Sequence, residues 1–131
     1  MDPSLFPPFG LRLSSDELEL RLPTDDDLAW LIALAKQGIH DPAHMPFAVA
    51  WTDVPSPEFE RRFLQFHWGS RGGLTPDDWM LNFMVSAGGE VAGVQDLRAA
   101  NFGVMRTVET GSWLGRRFQG RGIGKRMREM V

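Results

Sequence analysis

The chain has 131 residues, of which 43% are hydrophobic, 24% charged and 11% aromatic, with a formal net charge of -3. That supplies apolar matter for one folded core, leaves no room for a second domain and argues against a disordered chain. No apolar run approaches the roughly 20 residues of a membrane span, and residues 1–4 lack the basic start of a secretory signal. With no cysteine there is no disulfide framework, thiolate nucleophile or thiolate metal site. A cytoplasmic location is the default expectation.

In chain order, residues 11–13 and 17–22 alternate apolar and polar positions around Ser14, Ser15 and Asp16, which predicts a short strand or hairpin. Thr24 is the expected N-cap of a first helix, with Asp27 three residues on as a capping-box variant. Leu28, Leu31, Ile32 and Ala35 supply its buried stripe, Asp25 to Asp27 suit the positive end of its dipole, and Gly38 is placed to end it. Residues 39–57 carry Pro42, Pro46, Pro55 and Pro57 and read as loop. Ser56 and Pro57 then fit an N-cap and first helical position for a second helix to about Phe66, with Phe59, Phe63 and Phe66 on a core-facing stripe and Gly69 beyond.

After a flexible stretch over residues 69–76, residues 79–87 alternate as a strand, Gly88 and Gly89 supply a tight turn, and residues 91–97 return. A third strand over residues 107–114 follows a loop around residues 101–105. The fold class expected is α+β (mixed α/β): strand, two helices, an antiparallel three-strand meander, then a loop and a helix.

The segment from Ser112 to Lys125 carries the chemistry. An apolar strand end runs into a loop with Gly120, Gly122 and Gly124 at alternate positions, and that loop opens into a helix. Such a layout collects bare main-chain N–H groups at the positive end of a helix dipole, a seat for phosphate oxygens. Arg116, Arg117, Arg121, Lys125, Arg126 and Arg128 crowd the same end. Cations interleaved with glycines at one helix start suit a compact anion better than an extended nucleic-acid groove. Two other phosphate motifs fail: residues 125–127 hold no third glycine for a dinucleotide fingerprint, and Arg126 follows Gly124 and Lys125 where a Walker motif needs Ser or Thr.

The run Gln119-Gly120-Arg121-Gly122-Ile123-Gly124 resembles the Gln/Arg-x-x-Gly-x-Gly/Ala signature of the GNAT acetyltransferase superfamily. Gly111 to Gly115 is similar to the strand before that loop in its RimJ/RimL-like branch. The resemblance extends over residues 18–131, with its specific part in the last 20 or so residues. It implies acetyl-CoA as co-substrate and an amine-bearing acceptor, a protein N-terminus or a small molecule. It also implies that the main chain of Ser112, Trp113 and Leu114 pairs with the pantetheine arm, and that the amides of Gln119, Gly120, Arg121, Gly122, Ile123 and Gly124 hold the diphosphate. Arg121 and Lys125 stand where a side chain could add positive charge.

Acetyl transfer needs alignment, a base for the ammonium proton, an oxyanion donor and a proton for the thiolate. A main-chain N–H on the Leu114 strand is the expected oxyanion donor. Glu109 is the first candidate base and Asp96 the second; each also reads as an exposed or structurally paired carboxylate. His40, His44 and His67 fall in loops and at helix ends with no metal-ligand spacing. The family often uses a C-terminal tyrosine as general acid, and this sequence has none. Ile123, Met127, Met130 and Val131 form an apolar helical face without a stop signal, and the later strand of the family pattern is not in the sequence. The expectation is therefore an incomplete acetyltransferase domain: a fragment, a truncated product without catalysis, or a coenzyme-binding subunit completed by a partner, a homodimer included.

Overall fold

The computed structural model describes residues 2–41, 43–47 and 50–131; Met1 and Pro42 of the sequence reading lie outside the described residues. Two short antiparallel strands, β1 (Arg12–Ser15) and β2 (Leu18–Arg21), form the predicted hairpin. Helix α1 (Asp25–Gln37) starts as expected: Asp27 N–H donates to Thr24 Oγ1 at 3.2 Å, and Thr24 N–H donates to Asp27 Oδ2 at 2.8 Å. Gly38 caps its end with φ at 121°. The buried stripe is Leu28, Leu31 and Leu34, with Ile32 and Ala35 only half-buried.

Helix α2 (Glu58–Gly72) corrects the sequence reading at both ends. Pro57 is its N-cap, because the Ser56 hydroxyl donates to the Glu60 carboxylate instead of capping. The helix continues through Gly69, so residues 69–72 are not a flexible stretch. Arg71 fastens the added turn to the start of α1, donating to Asp25 Oδ1 at 2.8 Å and to Pro23 O at 2.6 Å. His67 takes the inward position expected of Phe66: Phe59, Phe63 and His67 are buried at i, i+4 and i+8, and Phe66 is half-exposed.

Strands β3 (Trp79–Ala87), β4 (Glu90–Ala99) and β5 (Glu109–Leu114) form the predicted meander, with the turn at Gly88 and Gly89. The last strand begins at Glu109 rather than at residue 107. The loop expected around residues 101–105 contains a single helical turn, α3 (Phe102–Met105), reached through Asn101 at φ 50°. All the strands join one antiparallel sheet in the order β1-β2-β3-β4-β5, so β5 is an edge. Helix α4 (Ile123–Met130) follows the glycine loop.

The pleat sorts the core onto two faces. Met84 and Val94 pack with Leu28 and Leu31 of α1 and with Phe59 and Phe63 of α2. On the other face Leu18, Leu20, Phe83, Val85 and Leu114 pack with Ile123 and Met127 of α4, and Leu34 at the end of α1 joins them. No helix among the described residues is long and apolar enough to cross a membrane.

Candidate functional site

The glycine loop is held from beneath by buried anchors. Phe118 and Ile123 are 2% and 4% exposed, while Gly120 to Gly122 between them lie on the surface. Gly120 and Gly122 adopt φ of 74° and 76°, a left-handed conformation that glycine takes without a side-chain clash. A Cβ on either would meet nothing within 4 Å, so the space in front of the loop is open. The amides of Gly120 to Gly124 have no hydrogen-bond partner among the described residues, and those of Ile123 and Gly124 open α4, where no side chain caps the helix.

Gln119 behaves differently from its neighbours. Its N–H is turned into the preceding turn and donates to Arg116 O at 3.2 Å. Its side-chain amide donates to Leu114 O at 2.9 Å and also to Ile39 O. Gln119 is thus a strut joining β5, the loop and the segment after α1. Around it, Arg116 N–H donates to Gly38 O at 3.1 Å. Arg126 pairs with Glu17, Arg117 approaches Glu90 at 3.5 Å, and Arg121 rests on the Phe118 ring. Lys125 makes no ion pair among the described residues.

The open edge of β5 leads into this loop. Gly115 N–H donates to Ala92 O at 2.9 Å, and bonded pairs alternate along an antiparallel ladder. By the β4–β5 register, the main chains of Gly111 and Trp113 therefore face β4, whereas those of Ser112 and Leu114 face outward. Trp113 contributes its side chain to the neighbouring cavity instead. The Leu114 carbonyl is taken by Gln119, leaving its N–H and both main-chain groups of Ser112 on the outer side.

A cavity of about 550 Å³ lies between α2, the segment around Trp51 and the β3–β5 face of the sheet. Phe63, Trp51 and Trp113 form its aromatic walls, with ring centroids 5.8 Å apart for the two tryptophans. Asp96 lines it, half-buried, with its carboxylate fixed by the Gly111 N–H, which donates to Oδ1 at 2.8 Å. The Gln95 side-chain amide steadies the same point by donating to Asp96 O and Gly111 O at 2.9 and 3.0 Å. Burial pushes the Asp96 carboxyl above the ordinary carboxylate value and Glu109 adds to the rise, outweighing the Gly111 hydrogen bond and the Arg98 charge.

The two candidate bases are separated by exposure. Glu109 sits at the solvent-facing start of β5, its carboxylate 3.1 Å from Arg98, outside the cavity lining. Two further residues that the sequence pattern does not single out line the cavity. His67, expected in a loop or at a helix end, lies inside α2, 3% exposed, where burial and the Arg71 charge lower its pKa to about 4. Its spacing from Phe59 and Phe63 was the available signal. Asn82, opposite Asp96 across the strands, is 4% exposed, and its Nδ2 has no partner among the described residues.

No family model matches the chain. Solved structures do. An acetyltransferase from Salmonella typhimurium that modifies the N-terminal serine of a 50S ribosomal subunit protein superposes with a TM-score of 0.66 at 18% identity, over 92% of this chain and 64% of that one. The fold is that of the RimJ/RimL-like GNAT acetyltransferases. Mycobacterium smegmatis RimJ in complex with a CoA-disulfide matches at a TM-score of 0.65 and 19% identity, over 92% of this chain and 57% of that one. A microcin self-immunity acetyltransferase in complex with acetyl-CoA and AMP matches at 0.63 and 20% identity, over 88% and 61%. The chain thus spans less than two thirds of the length of these structures.

Proposed function

We propose that this chain carries the coenzyme-binding part of an N-acetyltransferase that moves an acetyl group from acetyl-CoA to a primary amine. The observation that carries this reading is the continuity of three features. The outward-facing main chain of Ser112 and Leu114 runs into a loop of free amides, and Ser112 also lines a cavity that holds the half-buried Asp96 carboxylate. The donor set fits the coenzyme: the amides of Gly120, Arg121, Gly122, Ile123 and Gly124 suit a diphosphate, and the outward groups of Ser112 suit the amide-bearing pantetheine arm. Gln119 contributes as the strut that shapes the loop.

Bound there, acetyl-CoA supplies an acetyl group already activated as a thioester. The chain supplies the rest. Asp96, nearer the cavity than Glu109 and with a carboxyl that holds a proton more readily than an exposed one, takes the proton released by the acceptor ammonium. Leu114 N–H is the donor for negative charge on the carbonyl oxygen. Neutral His67 and the aromatic walls exclude water from around the amine.

The test is acetyl transfer to a panel of primary amines, followed by mass spectrometry with acetyl-CoA varied. Saturable, acetyl-CoA-dependent product, reduced about a hundredfold or more in kcat by Asp96→Asn, supports the reading. Product formation unaffected by Asp96→Asn would remove the carboxylate from it, and no transfer to any amine would remove the reading itself.

A further inference from the structure

The cavity beside Asp96 limits what amine the site accepts. Among the described residues that line it, Asp96 is the only carboxylate and Arg62 the only guanidinium, the latter paired with Glu58 at 2.7 Å on the rim. One carboxylate balances one ammonium; a polyamine or an aminosugar with several cations would bring charges with no partner in the lining. Much of the rest of the wall is aromatic: Phe59, Phe63, Phe66, Trp51 and Trp113, joined by Phe47. Trp51 stands 6.2 Å from Phe59 with the rings 15° apart, and 5.8 Å from Trp113, an array that offers both faces and edges to a guest ring.

Asn82 Nδ2, buried across the strand pair from Asp96, is a donor without an acceptor among the described residues. That donor is fully buried, so a guest in the cavity does not reach it, and selection rests on Asp96 and the aromatic wall. The volume of about 550 Å³ falls within the roughly 300–1,000 Å³ of small-molecule sites.

Resting on the acetyltransferase reading above, we infer that the acceptor is a monoamine carried on an aromatic or bulky apolar body, its ring against the wall that Trp51, Phe66 and Trp113 help to form and its ammonium at Asp96. The ring makes the contacts that select it, and the lone carboxylate counts its charge.

The probes are tyramine, ethanolamine and spermidine, each measured for binding by quenching of tryptophan fluorescence without acetyl-CoA and for acetylation with it. Wild-type protein is expected to bind tyramine saturably and to acetylate it with kcat/KM at least about tenfold above either other amine. Phe66→Ala, a change at a half-exposed position of α2 that leaves the fold intact, lowers that preference several-fold without changing the KM for acetyl-CoA. Acetylation that favours ethanolamine or spermidine overturns this acceptor class while leaving the transferase reading in place. Tyramine binding weakened by Phe66→Ala, with no transfer to any amine, upholds the cavity assignment and removes the transferase reading. Absence of tyramine binding overturns the inference.

Discussion

A Cβ built on Gly111 would stand 2.7 Å from Asp96 Oδ2, while Gly111 N–H holds Oδ1 of the same carboxylate at 2.8 Å. The glycine both makes room for the acid and aims it. Gly111→Ala is therefore expected to push the carboxylate aside and lower kcat by about tenfold or more, with the acetyl-CoA dissociation constant little changed. Steady-state kinetics beside a coenzyme titration separates the two effects; equal loss of coenzyme binding would mean that β5 itself had moved.

The second expectation concerns pH. His67 is neutral in the fold, its pKa lowered to about 4 from an ordinary 6.5 by burial and by the Arg71 charge. Between those values the unfolded chain binds a proton at His67 that the folded chain does not, so stability falls as pH drops from 6.5 toward 4, by about 3 kcal/mol in all. His67→Phe, which keeps a ring in the stripe with Phe59 and Phe63, flattens that part of the curve. Urea midpoints measured across pH 4 to 7 check it. A variant with an unaltered slope would show that other groups set the dependence.

Gln119 joins Leu114 O to Ile39 O across the start of the glycine loop. Gln119→Ala strands both carbonyls, at a cost of about 1–3 kcal/mol. Gln119→Glu is expected to cost more, because a carboxylate offers no donor and brings charge to two acceptors. Denaturant unfolding ranks the pair. If Glu proves equal to Gln, the strut does not bear on the loop.

Much of this architecture is legible in local chemistry. The capping box at Thr24 and Asp27, the alternation of Trp79–Ala87 and the Gly88–Gly89 turn each depend on residues close in the chain, and the glycine loop is fixed by backbone geometry that few other residues allow. What escaped depends on contacts across the fold. Helix α2 passes Gly69 because Arg71 reaches Asp25 and Pro23, 46 and 48 residues away. His67 replaced Phe66 because an i, i+4, i+8 row, once two members are buried, turns its third position inward whatever its polarity. The choice of Asp96 over Glu109 rests on strand register, which sets Asp96 against Gly111 at the cavity and Glu109 against exposed Arg98. Gln119 is expected as one of the loop's amides; only its distant partner Ile39 reveals the side chain as a strut.

The most direct measurement is calorimetric titration of acetyl-CoA into the protein and into Gly122→Glu, whose added carboxylate would project into the open space before the loop. A left-handed residue other than glycine costs about 1–2 kcal/mol, so the variant's melting transition is recorded alongside to show that it is folded. The expected result is saturable binding by the native sequence and loss of at least about a hundredfold in affinity by the folded variant. Unchanged affinity in that variant would contradict the assignment of the glycine loop as the coenzyme's diphosphate seat.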